Sequence, residues 1–445
     1  MQRTNRRPWF IPAVAALPLA LAAALLGQNA QASGFQLQEN DAMGMGRAYA
    51  GSTAAPGDCS VVENNPAAMS EFKMSCLQAD LTAINFSTQF YGTATDALGH
   101  PISGDTGGNG GTTLPVPALH YIRPISDQFT VGFGFNAPYG FQTEYRDRWI
   151  GRYQAQTTKL QAPALTFSGA WKVSDQLSFG ASLVAQRISA ELQQAINLGT
   201  ILMVPTNGAL LPQEADGRGN LKGHDWGFGF DLGMLWKPTD ADRIGFNYHS
   251  QIDHTINGKA TFEVPSNVLP LFNGAFTNTS GVAKINTPWS ATGSWWHTLD
   301  ARWSFGANVS YTHWSSFDKL VVSYANPAQA PFNSASIFDF RNTWFASVGA
   351  DYRLDDQWTL RGGLAYDQTP TVDAHRDPRI PDGNRRWLAF GVGYTVSDTM
   401  RFDASYAHLF VADGKINDTN ATFDNLTGHF ESYGNLLSVS GQITF

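Results

Sequence analysis

Alternation of apolar and polar side chains is the feature that most restricts the fold of this chain. From about residue 74 onward, segments of roughly 10 to 18 residues carry an apolar residue at every second position. In one of them Trp226, Phe228, Phe230, Leu232 and Met234 alternate mainly with glycine and aspartate. A period of two places apolar side chains on one face of a strand and small or polar ones on the other. Each segment therefore predicts a strand with one apolar face.

One apolar run stands out from this pattern, at residues 13–26. It follows Arg3, Arg6 and Arg7 and precedes Ala30-Gln31-Ala32. A basic start, a short apolar core and a small-residue cleavage site predict a signal peptide over residues 1–32. No later stretch offers about 18 uninterrupted apolar residues, so no helical membrane span is predicted. An exported chain of this kind is expected to enter a membrane as strands.

Short turns built on aspartate divide the alternating region into hairpins. Aspartate favours turns because its side chain hydrogen-bonds to its own backbone. Six such turns on one rim imply seven hairpins and about 14 antiparallel strands, an even number like that of bacterial outer-membrane barrels. The turns lie near Asp127, Asp175, Asp240, Asp300, Asp356 and Asp398.

The connections on the other rim are long, as extracellular loops of such barrels are. The last ten residues alternate and end in Phe445, similar to the terminal strand of outer-membrane barrel proteins. The predicted fold is therefore all-β, a transmembrane antiparallel barrel of about 14 strands over residues 74–445, in the outer membrane of a Gram-negative bacterium. A secreted β-sandwich is the soluble alternative. The long connections are 92–113, 192–222, 264–286, 326–337, 373–385 and 413–429.

Residues 33–73 lack the alternation and are rich in polar and small side chains. A barrel of this width leaves a pore unless something fills it, so this segment is predicted to plug the lumen. Cys59 and Cys76 could pair in an oxidising compartment, or remain two thiols. Their spacing is not that of a metal site.

Charge and motif content narrow the function classes. The net charge is -8, and removal of three signal-peptide arginines and no acids takes it to -11, which argues against a nucleic-acid partner. The ten histidines are scattered and no catalytic motif is present, so no cofactor, metal or enzyme activity is predicted. A general diffusion porin for polar solutes stays open, as does an outer-membrane enzyme or adhesin, since catalytic residues can be distant in sequence.

Three stretches, residues 33–52, 64–72 and 355–394, resemble the FadL-type outer-membrane transporters of long-chain fatty acids and other hydrophobic compounds. The resemblance implies a 14-stranded barrel with an N-terminal hatch whose Asn-Pro-Ala motif is here Asn65, Pro66 and Ala67. It also implies passive transport, with a third strand that kinks inward and lets substrate leave sideways into the membrane. We expect a monomer whose partners are fatty acids, aromatic hydrocarbons or alkanes, and outer-membrane lipids.

The third predicted strand breaks its own pattern. The alternation of Phe129, Val131, Phe133 and Phe135 stops at Asn136, Ala137, Pro138, Tyr139 and Gly140. Proline has no N–H to give to a ladder, and glycine tolerates irregular backbone, so pairing should be interrupted there. By resemblance this is the lateral portal, with Asn65 a candidate partner for the freed backbone. An ordinary bulge at the barrel rim is the alternative.

Substrate-binding residues are predicted in the loops and in the lumen. By resemblance, the apolar connections 192–222 and 264–286 form a groove that captures the substrate. The alternative is that these two loops simply pack on each other. Arg341 and Arg361 lie on the inward parity of their strands, and the resemblance aligns Arg341 and Arg187 with basic residues near a deep pocket. Arg187 can face the lumen only if a bulge interrupts its strand, because simple alternation from Leu177 places its side chain on the lipid side. The alternative for all three is a lumenal charge network with Asp231, Asp351 and Asp403. The candidate loop residues are Ile201, Leu202, Leu210, Leu269 and Phe272.

Overall fold

The computed structural model of the protein describes residues 34–332 and 335–445. The predicted signal peptide, residues 1–32, and the first residue of the predicted plug, Ser33, lie outside the described residues. Within those two ranges, no helix has the length and apolar character needed to cross a membrane.

Nineteen β-segments in the described ranges form one antiparallel sheet. Five barrel strands consist of two consecutive segments each, which leaves 14 strands in the wall. The segments are β1 (Cys76–Thr95), β2 (Thr113–Pro124), β3 (Phe129–Glu144), β4 (Thr157–Lys172), β5 (Leu177–Asn197), β6 (Asp216–Trp236), β7 (Asp242–His249), β8 (Ile252–Glu263), β9 (Thr279–Thr287), β10 (Ser290–Thr298), β11 (Trp303–Thr312), β12 (Lys319–Tyr324), β13 (Ala335–Ile337), β14 (Thr343–Arg353), β15 (Trp358–Asp367), β16 (Arg385–Ser397), β17 (Met400–Val411), β18 (Gly414–Thr419) and β19 (Asn425–Thr444).

The wall closes where the first strand meets the last. β1 and β19 pair along their whole length, from Cys76 opposite Thr444 to Thr95 opposite Asn425. Closure gives partners to edge backbone groups that hydrocarbon could not satisfy. The predicted closed antiparallel barrel of 14 strands is confirmed.

One rim of the barrel carries short turns and the other carries long connections, as the sequence predicts. Tight turns at the six predicted aspartates follow β2, β4, β6, β10, β14 and β16. The opposite rim carries the long connections, including one at 145–156 that the alternation did not reveal. Strands also extend farther toward this rim than predicted, since β6 begins at Asp216 and β18 occupies part of the predicted 413–429 loop. The outward side chains of these extensions are mainly polar, so the extensions lack the apolar outer face by which the alternation marks a strand.

The N-terminal segment, residues 34–73, contains helix α1 (Ala42–Gly46), helix α2 (Val61–Asn64) and a 3-10 helix at Pro66–Glu71. Helix α1 contacts β1, β15, β16, β17 and β19, whereas the 3-10 helix contacts β3, β4, β5 and β6. A segment that touches opposite sides of a closed barrel must lie in its lumen.

Inward-facing glycines make room for this backbone. A Cβ atom at Gly180 would collide with the backbone of Ala67, and one at Gly363 with the backbone of Arg47. The alternating glycines of the strands therefore reflect close approach of the N-terminal segment. A disulfide between Cys59 and Cys76 ties the segment covalently to β1.

Candidate functional site

The wall is not hydrogen-bonded over its full height between β2 and β3. These strands pair only from Pro124 opposite Thr130 to Leu119 opposite Phe135. Above that level β2 continues to Thr113 with β1 as its partner, and β3 continues to Glu144 with β4 as its partner. We call the region between residues 113–118 and 136–144, where the described strands share no ladder, the wall gap.

One extra residue in β3 begins the wall gap. Asn136 pairs with Ala164 and Tyr139 with Ala162, so Ala137 and Pro138 lie opposite a single residue of β4. Just beyond the last β3–β4 pair, Tyr145 N donates to Gln156 O. After the bulge, the backbone N–H and C=O groups of odd-numbered β3 residues therefore point toward β4. Even-numbered residues, including Pro138 and Gly140, therefore turn their backbone groups toward the wall gap.

The start of the N-terminal segment supplies partners for this freed edge. Leu37 N donates to Pro138 O at 2.8 Å, and Gly140 N donates to Phe35 O at 3.0 Å. Gln36 forms an antiparallel bridge with Tyr139 between these two bonds. Three residues of the segment thus act as a short strand beside the kink in β3.

Asn65, the partner expected from the sequence, lies elsewhere, and that expectation was wrong. Its Nδ2 donates to Thr53 O at 2.7 Å and to Met234 O of β6 at 2.9 Å. Its Oδ1 accepts from Ala67 N at 3.1 Å and so caps the 3-10 helix that begins with Pro66. The Asn65-Pro66-Ala67 motif therefore fastens the N-terminal segment to β5 and β6, away from the kink.

The opposite edge of the wall gap, on β2, is poor in backbone donors. Backbone groups of an antiparallel strand face its two neighbours alternately. At the turn between the two strands, Ile125 N donates to Phe129 O at 2.8 Å. The backbone N–H and C=O groups of odd-numbered β2 residues therefore point toward β3. Pro115 and Pro117 share this parity and have no N–H to offer. Prolines therefore occupy both edges of the wall gap.

An apolar cavity of about 60 Å³, the deep pocket, lies inside the barrel next to the wall gap. The Phe35 ring, buried at 2% exposure, fills much of this region and packs edge-on against Trp314 and Phe317, with centroids at 4.7 and 5.5 Å. Phe141 of β3 lines the deep pocket and meets Phe86 of β1 across the wall gap, with ring centroids 6.3 Å apart. These two rings separate the deep pocket from the wall gap.

A larger cavity of about 670 Å³, the outer groove, lies on the side of the long connections. Four side chains line both cavities, namely Leu192, Leu221, Leu320 and Arg379. The two cavities are therefore neighbours that share a wall. Apolar residues that line the outer groove include Ile201, Phe262, Phe276, Val322, Tyr324 and Phe332.

Arg379 is the cation on the shared wall. It belongs to the connection between β15 and β16 and is only 9% exposed. Its guanidinium donates to Asp377 Oδ2 at 2.6 Å and to Gln194 Oε1. Sequence reasoning passed over this residue, although it lies inside the 355–394 stretch that carried the family resemblance.

The predicted apolar loop residues form one cluster that joins two connections. Leu202 and Phe272 are buried in it at 2% and 6% exposure, and Ile201 and Leu210 pack against it. Ile201 also lines the outer groove, whereas Leu269 is 38% exposed. The loops therefore pack on each other and at the same time present a side of the groove.

The three predicted arginines occupy other environments. Arg361 points inward and pairs with Asp403 at 2.8 Å and Asp351 at 3.4 Å, so it belongs to the alternative charge network. Arg341 precedes β14, is exposed, and donates from Nε to Thr369 O at 3.2 Å. Of the candidate cations, Arg379 is the one that lines both cavities.

Arg187 faces outward. The β5–β6 register runs without a shift from Leu177 to Asn197 and sets Arg187 opposite Trp226. The bulge that an inward orientation requires is absent from this ladder, so Arg187 keeps the parity of Leu177 and Phe179.

Comparison with known proteins now identifies the family. The family model described as "Outer membrane protein transport protein (OMPP1/FadL/TodX)" matches residues 23–445. The chain belongs to the FadL family. The crystal structure of a FadL homologue from Pseudomonas aeruginosa superposes with a TM-score of 0.88 at 30% identity, covering 93% of this chain and 100% of that one.

Further FadL-family proteins agree with this assignment. The long-chain fatty acid transport protein of Escherichia coli K12 is 29% identical over 432 residues, which cover 92% of this chain and 94% of that protein. The Pseudomonas putida toluene transporter TodX shares the fold, with a TM-score of 0.70, 18% identity and coverage of 92% of this chain and 99% of that one. FadL-family proteins are outer-membrane transporters, so the predicted family, fold and membrane location are confirmed.

Proposed function

We propose that the protein carries hydrophobic molecules, long-chain fatty acids or related hydrocarbons, passively from the extracellular side into the outer leaflet. The route runs from the outer groove to the deep pocket and then sideways through the wall gap. The observation that carries this proposal is the absence of a β2–β3 ladder beside an apolar pocket. The name of the Escherichia coli relative, a long-chain fatty acid transport protein, fits the same class of cargo.

Capture begins at the long connections. Val204, Leu211 and Leu271 are exposed there at 77%, 43% and 49%. Apolar side chains at an extracellular surface provide a first contact for an oily molecule, and the outer groove behind them is large enough to receive it.

The next step brings cargo into the deep pocket. Its volume of about 60 Å³ is far below the roughly 300–1,000 Å³ of ordinary ligand pockets, so a long chain cannot enter unless side chains move. Phe35 is the side chain in the way, because its ring lies among the aromatic residues of the pocket. Each methylene that leaves water contributes about 0.8 kcal/mol toward that displacement.

The cargo then leaves between Phe86 and Phe141 into the wall gap. Phe135, the last β3 residue paired with β2, is six residues above Phe129 at the short turn. At ~3.3 Å per residue and a tilt of ~40°, this places the floor of the gap about 15 Å up an apolar band of about 25 Å. The gap therefore opens into the outer half of the bilayer, where an apolar cargo arrives downhill and needs no energy source.

Residues 33–73 are proposed to act as the plug that closes the straight route to the periplasm. The lumenal contacts of residues 34–72 support this role. Glu71 anchors the end of the plug through Lys237 at 2.8 Å and Arg243 at 3.1 Å. A fatty acid on the lateral route would bring its carboxylate past Arg379, whose charge-assisted bonds to Asp377 and Gln194 can be exchanged for bonds to the cargo.

Deletion of Ala137 together with P115V/P117V tests the proposed route. The deletion removes the extra residue of the bulge and the substitutions supply the N–H groups that the prolines lack, so that β3 can continue in register along β2. We expect uptake of a labelled long-chain fatty acid to fall while binding of the same molecule by the purified protein persists. The substitution Ala137→Ser keeps the residue count and serves as the matched control. Undiminished uptake by the deletion variant would contradict lateral release.

A further inference from the structure

The outward face of β6 shows where the lipid-facing band ends. Its exposed side chains from Trp236 up to Trp226 are apolar, with Phe228 the most exposed at 75%. This span of ten residues, at ~3.3 Å per residue and a tilt of ~40°, is roughly 25 Å tall, the height of the apolar band of an outer-membrane barrel. The next outward side chains are His224 and Lys222, which therefore lie just above the upper aromatic girdle.

Basic side chains occur at or above the upper aromatic girdle on five neighbouring barrel strands. We call Lys159, Arg187, Lys222, Lys259 and Lys284 the basic sector; they lie on β4, β5, β6, β8 and β9. Lys159, Lys222 and Lys284 are 13, 14 and 14 residues from the short-turn ends of their barrel strands at Lys172, Trp236 and Thr298. Arg187 lies lower and Lys259 higher, 10 and 17 residues from the ends at Leu177 and Asp242. Four of the nine lysines of the chain are thus gathered in a sector about 19 Å wide, at ~4.8 Å per strand.

Neighbouring carboxylates do not neutralise the basic sector. Lys222 pairs with Glu191 at 2.9 Å, and Lys159 lies 4.0 Å from Glu144. Asp253 is the further outward carboxylate at this level, and it accepts a hydrogen bond from Gln251. Among the described residues, no carboxylate lies within ion-pair distance of the other three cations, Arg187, Lys259 and Lys284. The patch is positive on a chain whose net charge is -8.

The far side of the barrel has a different composition at the same height. There β1 presents Gln89 and β19 presents Glu431, 13 residues from the short-turn ends of these strands. Asn417, Asn425 and Thr427 form a neutral network of hydrogen bonds just above them. Arg386 and Lys415 are exposed cations on this side, but cations are more numerous in the basic sector than on the far side of the rim.

We propose that the basic sector binds the phosphate groups of a phosphorylated outer-leaflet lipid. Its acyl chains would pack on the exposed apolar side chains directly below, including Phe167, Leu183 and Phe228 at 56%, 71% and 75% exposure. Ammonium and guanidinium groups at the headgroup level, continuous with an apolar face, match a molecule that carries phosphate at one end and hydrocarbon at the other. Four of its five cations line neither cavity, whereas Lys159 also lines the deep pocket and lies 4.0 Å from Glu144 at the edge of the wall gap.

Native mass spectrometry of the purified full chain tests this surface. The probes are a bis-phosphorylated, acylated glucosamine disaccharide, the same lipid after phosphatase treatment, and inorganic phosphate. We expect the intact chain to retain the phosphorylated lipid and the double variant K222E/K259E to lose affinity by roughly 20-fold. The variant R386E/K415E reverses two exposed charges on the far side and should retain the lipid.

Folding of each variant is checked by heat-modifiable migration, and the milder K222Q/K259Q should show an intermediate loss. Equal retention by K222E/K259E and the intact chain would overturn the proposal. Equal loss by both charge-reversal variants would do the same, because the effect would then be one of net charge. Equal binding of the dephosphorylated lipid would assign the affinity to the acyl chains, and comparable binding of inorganic phosphate alone would exclude a lipid-specific surface.

Discussion

The prolines along the wall gap should hold it open, and replacing them should close it. Continuing the β2–β3 register past the one-residue bulge would set Pro117 opposite Pro138 and Pro115 opposite Gly140. Each such pair exchanges two N–H···O bonds in an antiparallel ladder. The first pair can make neither bond, and the second can make only the bond from Gly140 N.

The double substitution P115V/P117V supplies the two missing donors of β2. Each new bond contributes about 1 kcal/mol net, and an open gap would leave two N–H groups unpaired at bilayer depth, which costs at least as much. Closure costs the two bonds that the N-terminal segment makes to Pro138 O and Gly140 N in the intact chain and in the variant alike, so these bonds cancel in the comparison. We therefore expect a shift of at least about 2 kcal/mol toward a closed wall, roughly 30-fold or more in the equilibrium.

Two measurements check this prediction. Uptake of a labelled long-chain fatty acid should slow, and amide hydrogens of residues 113–118 and 136–142 should exchange more slowly. The control is P124V, since Pro124 has the parity that faces β1 and lies at the turn. Protected amides with unchanged uptake would show that the cargo does not pass through the gap. Unchanged exchange would show that the prolines do not keep it open.

Three further predictions concern the cations, the plug and pH. Arg379→Gln should weaken uptake of a fatty acid relative to an alkane of equal length by about tenfold, because a charge-assisted bond is worth about 1.5–3 kcal/mol; an equal loss for both cargoes would remove the carboxylate role. Arg361→Gln, the matched control, should leave this selectivity unchanged but lower the free energy of unfolding by about 3 kcal/mol, since Asp351 and Asp403 lose their buried partner. In planar bilayers the intact protein should be nearly silent and a variant without residues 34–72 should conduct; high conductance of the intact protein would favour a porin. Burial raises the pKa of Glu39 and of Glu63 to about 7 from the usual 4.5, so the stability gained from their protons is complete below about pH 4.5 and is lost as the pH rises through about 7. Thermal unfolding should therefore occur at a lower temperature at pH 8 than at pH 6, and E39Q/E63Q should abolish most of that difference.

The strands, the short turns and the break in the third strand could all be predicted from the amino-acid sequence. Alternation with a period of two, aspartate in tight turns and a missing N–H at Pro138 are local properties, each carried by residues next to one another in the chain. The same locality explains the errors at the extracellular end. There the strands rise out of the membrane with mainly polar side chains on their outward face, and the local pattern no longer separates strand from loop.

The tertiary structure decided which groups meet. Gln36 and not Asn65 lies beside the kink, and Arg379 rather than Arg341 or Arg361 lines the cavities. The significance of Pro115 and Pro117 depends on which neighbour their backbone faces, and that follows from the register between strands. Hydrogen-bond partners and cavity walls join residues that are distant in the chain, and they are settled by strand register and by the way the N-terminal segment fills the lumen. The sequence therefore determined a barrel whose third strand carries a break in its pattern, and three-dimensional packing decided which groups lie beside that break.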